Sequence, residues 1–199
     1  MRRPLAAVLL VTALALPGCR FLHPQPDPTP EEGAWGRARN RYTARANLYD
    51  GFTTRAFATA VYEGPEVRVA RLARVASWKG VGKQERERML AEEQAQLARW
   101  DEFLVTFFTT DRPDNDLDTP RSIWRVSLEP VGEPGEALPA SIEQIRPDAT
   151  LRTLYPNIND FDTVYRVRFP RWQGEPLSGR PFTLKIASAR GRLELEFTP

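Results

Sequence analysis

The chain has 199 residues, 41% of them apolar, with one Cys, one His and a formal charge of +2. A single cysteine excludes an internal disulfide, a four-cysteine zinc site and a CxxC redox pair. A single histidine excludes an HExxH zinc centre, and the length suits one folded domain with an appendage.

The chain opens Met1-Arg2-Arg3-Pro4, continues through a mostly apolar stretch from Leu5 to Leu16, and reaches Pro17-Gly18-Cys19. A basic start followed by a short apolar run has the form of a secretory signal. The run is too short to span roughly 30 Å of hydrocarbon as a permanent helix. Leu16-Pro17-Gly18-Cys19 resembles the lipobox of bacterial lipoproteins, with an aliphatic residue three places before the cysteine and small residues between. Pro17 stands where Ala or Ser is commoner. The resemblance covers residues 1–19 and implies cleavage after Gly18, attachment of diacylglycerol to Cys19, and Cys19 as the mature N-terminus. Each acyl methylene buried in lipid contributes about 0.8 kcal/mol, so two or three chains hold where one does not. Arg20, rather than Asp, follows the cysteine, which by the same resemblance implies the outer membrane of a Gram-negative envelope, facing the periplasm. Loss of Arg2 and Arg3 with the signal leaves 28 − 2 = 26 basic against 26 acidic residues. The mature chain is then near neutral, with no global charge to attract an anionic partner.

Prolines at 24, 26, 28 and 30 in RFLHPQPDPTP favour an extended, semi-rigid spacer, so residues 19–34 read as a tether. His23 lies in it, read as a solvated side chain, and the body from 35 to 199 contains neither His nor Cys. Thr29-Pro30-Glu31-Glu32 has the form of a capping box. Trp35, Ala38, Tyr42, Ala46 and Tyr49 recur at helical spacing, predicting a helix that stops at Asp50-Gly51. Residues 52–62 read as a strand. Residues 65–79 read as a helix with Val69, Leu72, Ala73 and Ala76 on one face and Arg68, Arg71 and Arg74 on a solvated other. Gly80 and Gly82 break it, and a further helix is expected from Lys83 to about Trp100, with Leu90, Leu97 and Leu104 along one side.

Composition then shifts: one proline falls between residues 31 and 100, and eleven between 101 and 199. Residues 103–110, 123–129 and 163–169 have strand composition, and Phe182–Ile186 with Leu193–Phe197 form the strongest hairpin. The expected fold is α+β, with residues 35–100 mainly helical and packed on an antiparallel sheet or small sandwich from the mainly β residues 101–199.

Little familiar chemistry is present. None of the serines at 77, 122, 127, 141, 178 and 188 has a lysine three residues on, and no GxSxG elbow occurs. Lys79-Gly80-Val81-Gly82-Lys83 lacks the remaining elements of a phosphate-binding loop and reads as an inter-helix turn. Asp114, Asp116 and Asp118 have the first spacings of a calcium loop, but Thr119 and Arg125 stand where Gly and Glu are needed. The three aspartates are weak candidate calcium ligands, and Asn157, Asn159, Asp160 and Asp162 form a second oxygen-rich loop of the same standing. A meeting of the two loops would favour a hard-cation site; no cofactor beyond covalent lipid on Cys19 is expected. Arg171-Trp172 reads as a Trp packed over the sheet edge. The leading expectation is a non-catalytic envelope lipoprotein, anchored in membrane lipid through Cys19, that binds protein or cell-envelope components and no nucleic acid. The alternatives are a carboxylate-dependent hydrolase of envelope polysaccharide, which needs two acids converging in a cleft, and a calcium-dependent ligand binder.

Overall fold

A computed structural model describes residues 29–198. Gly18, Cys19, His23 and the tether up to Pro28 lie outside the described residues. The protein is α+β, with four α-helices and two antiparallel sheets among the described residues. The first sheet has five strands: β1 (Thr43–Asp50), β2 (Thr53–Tyr62), β3 (Trp100–Thr109), β5 (Ser141–Ile145) and β6 (Thr163–Pro170), in the order β1-β2-β3-β6-β5. The second has three: β4 (Arg125–Pro130), β7 (Phe182–Ser188) and β8 (Gly191–Phe197), in the order β4-β7-β8. The helices are α1 (Pro30–Arg41), α2 (Pro65–Lys79), α3 (Lys83–Leu97) and α4 (Ala149–Leu154).

α1 begins at Pro30, inside the stretch read as tether. Thr29 Oγ1 accepts the Glu32 amide at 3.2 Å, Pro30 occupies the first turn, and Trp35 and Ala38 are buried. The helix ends at Arg41, and residues 43–50, expected to continue it, form β1 instead. The same residues carry a second period: Ala44, Ala46 and Leu48 pack toward the core while Arg45, Asn47 and Tyr49 face out. Pairing with β2 selects the strand, and Asp50-Gly51 becomes a hairpin turn, with Gly51 at φ 58°. α2 spans the expected residues, closed by Gly80 at φ 63°. α3 stops at Leu97, so Leu104 belongs to β3 and not to a helical stripe. β5 and α4 had no counterpart among the expected elements. β2 forms where a strand is expected over 52–62, so the five-stranded sheet takes β1 as well as β2 from residues 35–100, the part expected to be mainly helical.

The two sheets enclose an aromatic core. Phe103 of β3 meets Tyr62, Phe169, Phe182 and Phe197 with ring centroids 5.3 to 5.8 Å apart. On the same face Ala44, Ala56, Ala58 and Ala60 are buried, and these short side chains let β8 approach β1. Gly191 marks the closest approach: a Cβ there would lie 2.6 Å from Leu48 Cδ1, and its φ of +134° disfavours any other residue. Gly191→Ala is expected to destabilise the protein by about 2 kcal/mol through overpacking and backbone strain. Urea unfolding should show the loss as a lower midpoint at an unchanged slope.

Candidate functional site

β3 is the central strand, buried from Asp101 to Phe107, yet it opens with two adjacent carboxylates. Alternation sends them to opposite faces of the sheet. On the side of the second sheet, Asp101 Oδ1 accepts the Tyr62 hydroxyl at 2.7 Å and the Leu177 amide at 3.4 Å, with Arg171 Nη1 at 3.3 Å. Asp101 Oδ2 has no hydrogen-bond partner. Burial holds this carboxyl above the usual aspartate range, against the opposing pull of Tyr62 and Arg171. The Tyr62 hydroxyl is raised too, chiefly by burial and then by Asp101. This cluster ties the 171–178 loop to the sheet.

The helix side carries a larger network. Glu102 Oε2 accepts Arg168 Nε at 2.7 Å, and its Oε1 lies 3.3 Å from Arg68 Nη2 and 3.6 Å from Arg166 Nε. Arg68 Nε donates to the Glu63 carbonyl at 2.7 Å, and its Nη1 to Glu93 Oε2 at 2.6 Å. Arg71 Nη2 donates to the other Glu93 oxygen at 2.8 Å, while its Nε lies 3.5 Å from Glu63 Oε2. Tyr155 donates to Glu63 Oε1 at 2.5 Å, and burial followed by the Glu63 charge raises its hydroxyl well above the ordinary value. Arg68, Arg71, Glu93, Glu102, Arg166 and Arg168 line a cleft of about 520 Å³ between α2, α3 and strands β3 and β6.

The arginine stripe of α2 is thus not a solvated face. Arg68 has only 4% of its side chain exposed, and Arg74 reaches Glu32 of α1 at 3.5 Å. Val69, read as inward, is 53% exposed, while Val67, Arg68, Leu72 and Ala76 are buried. Helical periodicity separates two faces without saying which is covered. The missed signal was Asp101-Glu102 at the head of the apolar run Phe103–Phe108: a charge in a buried strand requires a countercharge.

Most of the other acids singled out in the sequence are paired elsewhere. Asp111 and Asp114 both pair with Arg190 in the β7–β8 turn, and Asp116 accepts the Thr119 and Ser122 hydroxyls at 3.0 and 2.8 Å. Asp118 is exposed. Asp162 is bonded to Asn159, and Asp160 to Arg152. Among the described residues no group of three or more His, Cys, Asp or Glu side chains is placed to hold a metal ion. Tyr165, near Asp116 and Asp118, is pushed up to about 12, first by burial. Glu129 pairs with Lys185, Glu133 with Trp172 and Arg180, and Glu136 with Arg125. Trp172 packs partly buried against the core, and its indole N–H donates to Glu133. No described helix is long and apolar enough to cross a membrane.

No protein-family model matches the chain, and no curated protein matches it. A crystal structure of a protein of unknown function from Burkholderia pseudomallei K96243 is similar with 10% identity and a TM-score of 0.42, over 83% of this chain and 81% of that one.

Two stability predictions follow from the opposed carboxylates. Arg68→Met leaves Glu93 and Glu102 short of a partner and is expected to cost about 3 kcal/mol in urea unfolding. Arg88→Met, which breaks only exposed pairs on α3, should leave the midpoint nearly unchanged. Because Asp101 has a raised pKa when folded, the native state binds its proton more tightly than the unfolded chain. Its contribution is therefore most favourable below the unfolded value, about 4, and is lost as pH rises through the folded value. Asp101→Asn keeps an acceptor for Tyr62 without the charge, so its stability relative to wild type should climb from about pH 4 toward neutrality. Parallel stability profiles for the two proteins would exclude the effect.

Proposed function

We propose that the chain is a lipid-anchored, non-catalytic protein of the bacterial envelope, whose folded body binds an envelope component at the α2–α3–β6 cleft. The observation that carries the anchor is Leu16-Pro17-Gly18-Cys19 at the end of a basic and apolar leader. Acyl chains on Cys19 would hold the body at the outer membrane's periplasmic face, with the proline-rich segment as spacer.

The chemistry of the cleft supports binding over turnover. Its two innermost acids, Glu93 and Glu102, are each engaged by at least two guanidinium groups. A hydrolase working with paired acids needs one of them free to protonate a leaving group and the other to face the reacting carbon. Arg68, Arg71, Arg166 and Arg168 instead present fixed donors suited to recognising a charged partner. The body also lacks His and Cys, which removes the commonest general base and the thiolate nucleophile.

Labelled palmitate fed to cells expressing the full chain is expected to enter the protein and to fractionate with the outer membrane. Cys19→Ser should abolish both. Label that survives the substitution refutes attachment at this residue. Turnover of an envelope polysaccharide that is lost in Glu102→Gln would refute the non-catalytic reading.

A further inference from the structure

The charged cleft continues into an apolar one. Arg71, Met89 and Glu93, which close one end of the first, also wall a pocket of about 270 Å³ lined by Leu72 of α2 and by Leu151 and Leu154 of α4. Asp148 borders this pocket, but its Oδ1 is occupied by the Leu151 amide at 2.7 Å as the cap of α4. A row of guanidinium groups therefore runs directly into an apolar recess, with Glu93 standing at the junction.

Building on the reading of the body as a binding module, we propose that this composite cleft takes an amphiphile with an oxyanion head, a carboxylate or phosphate on a short apolar chain. The head replaces the Glu93 carboxylate on Arg68 and Arg71, and the chain enters the Leu72–Leu151–Leu154 pocket.

Three observations carry this. Arg68 is almost wholly buried and lines the cleft, and its Nη2, itself buried, lies 3.3 Å from Glu102 Oε1 as an ion pair without a hydrogen bond. A guanidinium held in place by Glu63 and Glu102 on its other edges presents Nη1 in a fixed position that suits a planar or tetrahedral oxyanion. Glu93 bridges Arg68 Nη1 and Arg71 Nη2 with its two oxygens, so the position already accepts a carboxylate. The helix that carries Glu93 is weakly secured. α3 buries none of its residues, has no side-chain N-cap bond and no basic residue in its last turn. Withdrawing it uncovers little apolar surface, and Met89, unbranched and adaptable, can follow the ligand.

The charge balance is compatible with an incoming anion. With Glu93 withdrawn, Arg68, Arg71, Arg166 and Arg168 share the cleft with Glu102, and the buried Glu63 lies 3.5 Å from Arg71 Nε. Glu92 and Glu143 remain at its exposed rim, where water screens them.

The test is isothermal titration of the full chain carrying Cys19→Ser, so that its own lipid does not compete. The probes are decanoate, decyl phosphate, decanol and inorganic phosphate, all kept below micelle formation. Decanoate and decyl phosphate should bind at least about tenfold more tightly than decanol or inorganic phosphate, because only they satisfy both halves of the cleft. The ratio between these two probes separates a carboxylate head from a phosphate head. Glu93→Gln, which removes the internal competitor, should tighten both by about tenfold, and Arg168→Gln should weaken both by a similar factor. Equal binding of decanol and decanoate, unchanged affinity in Glu93→Gln, or no heat from any probe in either protein would each overturn the proposal. The anchor is judged separately. A chain that is lipidated yet ignores these probes loses only the ligand class, and one that binds them but takes no lipid at Cys19 loses only the anchor.

Discussion

A charged dipeptide opens the central strand, and many of the protein's distant polar contacts serve to satisfy it. Asp101 and Glu102 sit where β3 is already covered on both faces, and the pleat sends them in opposite directions. A buried carboxylate without partners is costly, so each must be met by donors from elsewhere in the chain. For Asp101 these are Tyr62 on β2 and Arg171 and Leu177 in the loop after β6. For Glu102 they are Arg168 and Arg166 on β6 and Arg68 on α2. The placement of α2 over the sheet and of the 171–178 loop against it both follow from that demand.

The five-stranded sheet consequently has two unlike faces. Toward the second sheet, alanines on β1 and β2 and aromatic rings on β3, β6, β7 and β8 make a close apolar contact. Toward the helices, the β3–β6 end carries Glu102, Arg166 and Arg168, which α2 can cover only by bringing its own charges. Tyr155, from the segment after α4, completes the arrangement by bonding Glu63 while its ring meets Trp35 edge-on at 5.4 Å. A polar cleft therefore forms on one face alone, between elements whose positions are set by the ion pairs within it. α3 stands apart from that logic, since its hold on the rest runs through Glu93 and a short turn between Gly80 and Gly82 rather than through buried apolar surface.

Much of the element list was legible because its signals are local. Pro65 at the start of α2 and Gly80 at its end, the alternation of Phe182, Leu184 and Ile186 against Leu193, Leu195 and Phe197, and the cap at Thr29 each act within a few residues. β1 was misread because eight residues fit both a helical and an extended period, and the choice belonged to its partner β2. β5 was missed because an edge strand with mostly exposed side chains leaves no hydrophobic alternation to detect. α4, with only six residues, is too short to show a period.

By itself the sequence determined the local periods, the caps and turns, and an inventory of side chains in which the body has neither His nor Cys. The tertiary structure alone decided which face of α2 is covered and that Glu63, Arg68, Arg71, Glu93, Glu102 and Tyr155 meet. The reason is that periodicity distinguishes two faces of an element but carries no information about its neighbours. An arginine becomes an interior residue only when countercharges reach it, and those of Arg68 come from α3 and β3, brought together by the pairing of strands distant in the chain.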